Sequence, residues 1–584
     1  MSNRLGARLR WAFGLIGVAA VCLVIYTGHQ ALTAKDNLER VASDFTTLSG
    51  QLTSGDRAGV ATTLADAQDH AAAARKNTRG PGWWLTERIP GVGPNVTAVR
   101  TVSDVVDELS RHVLPDVVTA TSTLRPDNLR PHQGRVDLGA LERIAPSVVA
   151  ADRALQVQAG RIAAVRTGDL APQIARPVTL MQDKMAEAAS LSGRASRAVQ
   201  LMPSMLGADG RRTYLMIFQN NAELRATGGI PGAFAVVHAN HGKITIGAQG
   251  DAGTFGKLDR PALPVSAEEA AVFGPKIAQY AQDVTFTPHF PRSAELIRAM
   301  WKQRTGESVD GVVSTDPVAL GYLLGGTGPV TIGGGRQLTS DNAVSVLLNR
   351  VYFEIRDPTL QNVYFAQVAK TVFGAVSGGR GDPQKVLSGL TRGADERRLL
   401  IWSAHPAEQK VLAGTELAGV LSDQAGDRPD LGVFMNDSSE SKLDYYLDYA
   451  TSVSSQGCQG GRQHLTVTVK LHSTVPADTT GMPDYVFNTG TGSGRGVIRL
   501  TVQSFLPVEG FLDGATVDGQ DLSLPSQQLL GRKVVAQTLD VTPGQTRTLV
   551  LSVVSGRGQS GDPVLRTTPG ARGAGMGHVG RSHC

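Results

Sequence analysis

The feature that most constrains this chain is an uncharged run, Trp11–Tyr26, directly after Arg4, Arg8 and Arg10. Extended through Thr27 and Gly28, it reaches about 18 residues, the short end of what a helix needs to cross a hydrocarbon core. The basic flank predicts residues 1–10 in the cytoplasm and everything beyond the run on the far side. Trp11 and Tyr26 stand at its two ends, where interfacial aromatics collect. A cleaved signal peptide would need small residues at −3 and −1 of a cleavage site, and GHQALTA at 28–34 offers no clean A-x-A pattern. An uncleaved signal anchor is therefore expected. No second apolar stretch is long enough to span, so the expectation is a single-pass protein of the cell membrane with an extracytoplasmic ectodomain.

The 584 residues are too many for one core and suit about three domains. With 41% hydrophobic and 19% charged residues the chain belongs with folded proteins, not disordered ones. The net charge of +5 fits contact with anionic lipid or polymer without demanding it. Zinc-finger spacing, an aromatic-plus-basic strand and a dense basic arm are all missing, so no nucleic-acid partner is expected. Cys22 lies in the apolar run; Cys458 and Cys584 form an even pair in what would be an oxidising compartment, and a disulfide between them is expected over two free thiols.

Hydrophobic period divides the ectodomain. Residues 29–208 read as a helical stalk or bundle, with a break at RGPGWWLTERIPGVGP in which Trp83 and Trp84 are expected to be core residues at a helical corner, the alternative being a place at the bilayer surface. Residues 209–440 alternate strand and helix signals, the pattern of an α/β layer domain. TYLMIFQN suits a buried strand, and AFAVVHANHGKITIGA a hairpin turning near Asn240–Gly242. Residues 441–556 alternate apolar and polar positions between turn residues, as in an immunoglobulin-like β-sandwich. The Gly- and Arg-rich tail 557–584 is expected to be loosely ordered unless Cys584 pins it. The fold class expected is thus α+β multidomain: transmembrane helix, helical stalk, α/β layer domain and C-terminal sandwich.

Standard chemical motifs fail. GDAGTFGKL has the wrong glycine spacing for a phosphate loop, and Leu258 stands where a Ser or Thr would hold magnesium. No G-x-S-x-G elbow occurs, and the twelve histidines do not pair at metal-ligand spacing, so no metal site is expected. The segment FQNNAELRATGGIPGAF is more informative. It places Asn220, Asn221, Glu223 and Arg225 just past a buried strand, where ligand groups gather in α/β folds, with Gly228 and Gly229 free to turn. Arg225 facing a concave pocket rimmed by the other three would suit a phosphate. The competing expectation is an ordinary Glu223–Arg225 ion pair beside capping asparagines.

YLMIFQNNAELRATGG, the Asp310-Gly311-Val312-Val313 and Asp316-Pro317 segment, GTGPVTI and SKLDYYLDY together resemble domain-of-unknown-function family 4012, bacterial membrane-anchored ectodomains. The family name implies no activity. The order of elements around VDGVVSTDPVALGYLLGGTGPVTI is also similar to the LytR-CpsA-Psr envelope enzymes. Those transfer glycopolymers from a polyprenyl-pyrophosphate carrier onto peptidoglycan, with arginines, an aspartate and a divalent metal at the pyrophosphate. That resemblance implies a polyprenyl-phosphate-linked glycan or cell-wall polymer as partner, and Mg²⁺ if the protein is catalytic. Arg225, Arg292, Arg350 and Arg356 would be the arginine cluster, with Asp310 and Asp316 as carboxylates. No catalytic residue is assigned, and Arg350 and Arg356, six apart, do not share a helix face. The alternative is a non-catalytic envelope scaffold or adhesion module.

Overall fold

The computed structural model describes residues 28–48, 50–52, 56–123, 131, 134–487, 494–573 and 575–584. The expected cytoplasmic tail, Cys22 and all of the expected 11–28 span except Gly28 lie outside the described residues. Among the described residues no helix is long and apolar enough to cross a membrane. The chain forms two compact units. One comprises the described residues up to 129 together with Asp137–Ser204; the other is Met205–Cys584, joined by a short segment ending at Val136.

The first unit is helical. A helix at 28–48 is followed by Arg57–Asn77, which Asp56 caps by accepting the Gly59 N–H at 3.0 Å. Gly93–Glu108, Leu138–Ala163 and Pro172–Met205 complete the longer helices. Val105 and Leu109, and Met185 and Ala189, are each four residues apart on their helices and share one core with Ile162. The Asp107 side chain is fully buried between Arg75 at 2.6 Å and Arg111 at 2.8 Å, because a buried carboxylate needs compensating charge.

The second unit begins with a five-stranded sheet. Its strands are β1 (Arg212–Asn220), β2 (Ile230–Asn240), β3 (Lys243–Asp251), β4 (Gly311–Thr315) and β7 (Leu400–Ser403), in the order β3-β2-β1-β4-β7. β5 (Val330–Thr331) and β6 (Gln337–Leu338) form a separate two-residue hairpin. β1 runs parallel to β4 and antiparallel to β2. Alternate residues of β1 serve opposite faces, as strand geometry requires. Leu215 and Ile217 pack with Phe290, Ile297 and Met300 of the Phe290–Thr305 helix, while Tyr214 and Met216 pack with Phe373 of the Pro358–Ser377 helix. The β2–β3 turn is His241-Gly242, both at positive φ (47° and 80°), the geometry of a two-residue hairpin.

Two further sheets enclose one apolar core. The first contains β9 (Leu447–Gln459), β10 (Arg462–Ser473), β12 (Phe511–Val517), β13 (Gln520–Asp521), β16 (Thr546–Val554) and β18 (Met576–Val579). The second contains β8 (Asp430–Asp437), β11 (Ile498–Phe505), β14 (Ser526–Leu529), β15 (Arg532–Val541) and β17 (Val564–Thr567). Val467, Val469, Val502, Leu539 and Leu551 meet between them.

Two elements differ from the sequence reading. Residues 431–435, inside the span expected as the α/β layer, form a strand that pairs instead with β11 and β17, because Leu431, Val433 and Met435 face the sandwich core. The tail supplies β17 and β18, which add parallel to β8 and β9. Its last residue is fastened: Cys458 and Cys584 are disulfide-bonded, with Cα atoms 5.2 Å apart.

Candidate functional site

β1 ends at Asn220, and residues 221–229 leave the sheet. The exit needs glycine at its far side. Gly228 has φ 138°, and a Cβ on Gly229 would lie 2.3 Å from the Asn220 carbonyl. Gln219 closes the loop from below, its Oε1 accepting the Gly229 N–H at 2.7 Å while its Nε2 donates to Ser314 Oγ at 2.6 Å.

Within the loop the side chains alternate. Ala222 and Leu224 are buried in the core between the two C-terminal sheets, and Ala226 packs against Phe434 and Phe505. Asn221, Glu223 and Arg225, at the intervening positions, are also buried, and each bonds to other protein groups, although Asn221 Oδ1 and Arg225 Nε have no hydrogen-bond partner among the described residues. Asn221 Nδ2 donates to Asp316 Oδ2 at 3.1 Å and to the Pro569 carbonyl at 3.0 Å. Arg225 Nη2 donates to Glu223 Oε1 at 2.8 Å, with the two side chains only 4% and 5% exposed. The Lys442 ammonium takes the other Glu223 oxygen. Arg225 Nη1 donates to its neighbour's carbonyl at Leu224, and the guanidinium sits 4.5 Å from the centre of the Phe286 ring. Asn220 donates to the Tyr352 hydroxyl.

The loop backbone is held by the sandwich in the same way. Leu224 N–H donates to Asp444 Oδ2 at 2.7 Å, Ala226 N–H to Asn436 Oδ1 at 2.9 Å, and Asp444 N–H to the Ala222 carbonyl at 3.1 Å. Four carboxyl groups thus share a site with two cations, and they separate electrostatically. Burial works against a charged Glu223, but Lys442 and Arg225 outweigh it and hold the carboxyl below the usual range. Burial pushes Asp437 up to about 6, helped by the nearby Glu223 charge, and pushes Asp444 well above the ordinary aspartate value, helped by Asp437. Burial likewise raises Asp283 to about 6.

This corrects the expected pocket. Arg225 does not face a concave surface; it is inside the protein, paired with Glu223, because the alternate apolar residues of its own loop are drawn into the sandwich core. The other candidates do not gather around it. Arg292 closes on Glu269 at 2.6 Å and on the Pro264 carbonyl. Arg350 and Arg356 are exposed on either side of the Val351–Glu354 helix. Asp310 and Asp316 flank β4, so its five residues, at about 3.3 Å each, hold them at opposite ends of the sheet. Asp310 engages His405 at 2.9 Å. Asp316 engages Arg398 at 2.8 Å and caps the Pro317–Thr327 helix through the Ala319 N–H. The donors suggested for a metal-bound pyrophosphate are therefore spread apart, with Arg225, Arg292, Asp310 and Asp316 each held by its own partner. Among the described residues no cluster of three or more His, Cys, Asp or Glu side chains is placed to hold a metal ion.

Sequence reasoning missed Lys442, Asp444 and Asn436 as partners of this loop, and Arg398 as the partner of Asp316, to which Asn221 donates. Arg398 is fully buried and binds Asp316, Glu396 and the carbonyls of Gly570 and Gly573. A usable signal existed for two of the four, since Lys442 and Asp444 belong to the SKLDYYLDY segment already singled out beside FQNNAELR. Residues 209–352 match the model of a family described as a protein of unknown function (DUF4012), a stretch that contains β1 through β4 and the loop at 221–229. No curated protein and no solved structure matches the chain.

Proposed function

We propose that the protein is a single-pass, extracytoplasmic scaffold of the bacterial cell envelope, in which the FQNNAELR segment bolts the α/β sheet to the β-sandwich. The observation that carries this reading is the occupancy of Arg225. Its charge is matched by a carboxylate two residues away, and that carboxylate is shared with Lys442 from the other layer. A phosphate ligand would have to displace Glu223 and leave it buried with one cation, at a cost of several kcal/mol. The anchor at 11–28 and its basic flank supply the topology. On this reading the role of the chain is to present a rigid two-layer unit on the far side of the membrane.

The rival reading is a protein that binds or transfers a polyprenyl-phosphate-linked glycopolymer. Titrating a short-chain polyprenyl phosphate, with and without Mg²⁺, into the full-length protein in detergent separates the two. The scaffold reading expects no saturable binding. Saturable binding that Arg225→Ala abolishes without lowering the melting temperature would overturn it.

A further inference from the structure

We propose that the corner at 84–92 of the helical unit is a second membrane contact, seated in the interfacial layer of an anionic bilayer; this rests on the single-anchor reading above. The sequence suggested that both tryptophans of RGPGWWLTERIPGVGP are core residues. Only Trp83 is, at 3% exposed, and its neighbour Trp84 is 53% exposed. Leu85, Ile89 and Val92 are each between 44% and 46% exposed, so four large apolar side chains crowd within nine residues of surface. Exposed apolar side chains gathered this closely along a folded protein point to a contact site.

The place of this corner in the unit selects the occupant. The Trp83 indole N–H donates to Gln30 Oε1 at 3.0 Å. Gln30 is two residues beyond Gly28, the end of the uncharged run, which along a helix is a rise of about 3 Å. A corner tied to that position lies where the chain would emerge from the bilayer. Its chemistry also matches a lipid interface. The Arg88 guanidinium lies 3.6 Å from the centre of the Trp84 ring and donates to the Trp84 carbonyl, pairing an aromatic with a cation as at the headgroup level. Arg88, Arg161 and Arg166 line an adjoining cleft of about 600 Å³ with Ile89 and Pro90, and they outnumber its two acids, Glu87 and Asp169. Glu87, the one acid within the corner, is committed to Arg100 at 2.6 Å. Apolar tips flanked by arginines suit acyl chains below and anionic headgroups around them.

The test uses the full-length chain carrying Trp11→Phe, in nanodiscs of phosphatidylglycerol with or without acyl-brominated lipid, which quenches tryptophans that touch the acyl region. Fluorescence should fall with brominated lipid, and Trp84→Phe should remove that fall. Ile89→Asp with Val92→Asp should weaken it while the protein stays in the disc. Protein that enters discs but is not quenched, or whose quenching survives Trp84→Phe, overturns the contact and leaves the anchor standing. Protein that fails to enter discs overturns the anchor reading and this proposal with it.

Discussion

The Asp444 carboxylate accepts the backbone N–H of Leu224 at 2.7 Å, across 220 residues of sequence. The bond is one of a reciprocal pair, since Asp444 N–H donates back to the Ala222 carbonyl. Burial and the neighbouring Asp437 charge favour the neutral acid at Asp444, so an amide is a closer mimic of it than an ionised carboxylate. Asp444→Asn should therefore fold normally, because its carbonyl still accepts from Leu224. Asp444→Ala strands a buried N–H and should lose about 1–3 kcal/mol. Chemical denaturation of the two variants beside the parent checks the ordering; equal losses would show that the acceptor is not what matters.

The pH dependence follows from Asp437. Its carboxyl is raised to about 6 by burial and by Glu223, against the opposing charge of Arg225, whereas an unfolded aspartate titrates near about 3.9. Between these values the folded state holds more protons than the unfolded one, so this group's contribution is most favourable below the unfolded value and is lost as pH rises through about 6. Glu223, held low, acts in the opposite sense, contributing stability above its unfolded value and losing it as pH falls through its folded one. His289, lowered by burial, also opposes Asp437, while Asp283 and Asp444, raised by burial, act with it, so a bare pH–stability curve mixes all of these groups. The most selective measurement is the stability of Asp437→Asn minus that of the parent, which also carries the change that losing the Asp437 charge makes at Asp444. That difference should become more favourable to the variant by on the order of 2 kcal/mol from pH 4 to pH 7.5. A difference independent of pH would contradict the assignment.

The disulfide holds the last strand. Cys458 ends the β9 side of a hairpin and Cys584 lies just past β18, which pairs with β9. Non-reducing peptide mapping should recover the two cysteines on one linked species. Cys584→Ser should raise amide exchange at 576–579 first and lower global stability by about 2–4 kcal/mol. Unchanged exchange there would show that β18 is held by pairing alone.

Much of the architecture was legible because local pattern and fold agree. The β2–β3 hairpin turns at the residues that tolerate positive φ, and the helix after Asp316 starts where the sequence offers a capping acid followed by Pro317. Cysteine parity pointed to the bond that forms. The candidate site was misread for a physical reason. Four polar residues after a strand look the same whether they face a ligand or another layer of the protein, and only the second layer's identity decides. The alternation of Ala222, Leu224 and Ala226 was the available clue, since three apolar residues at period two need an apolar surface to cover them. That surface is made by strands more than 200 residues away in sequence, including β8, whose apolar run gave no sign of which sheet it joins. The tail was underestimated similarly: β17 and β18 are four residues each and become strands only by adding to edges already in place.

The central claim is that Arg225 is a structural ion, and the most direct measurement is the thermal and denaturant unfolding of Arg225→Ala, Glu223→Ala and the double variant. Arg225→Ala leaves Glu223 with Lys442 alone, whereas Glu223→Ala strands both cations in the interior. The account predicts losses on the order of 3–5 kcal/mol, larger for Glu223→Ala, with the double variant less damaged than the sum of the two. Arg225→Ala with parental stability, together with lost binding of a polyprenyl phosphate that the parent binds, would contradict it.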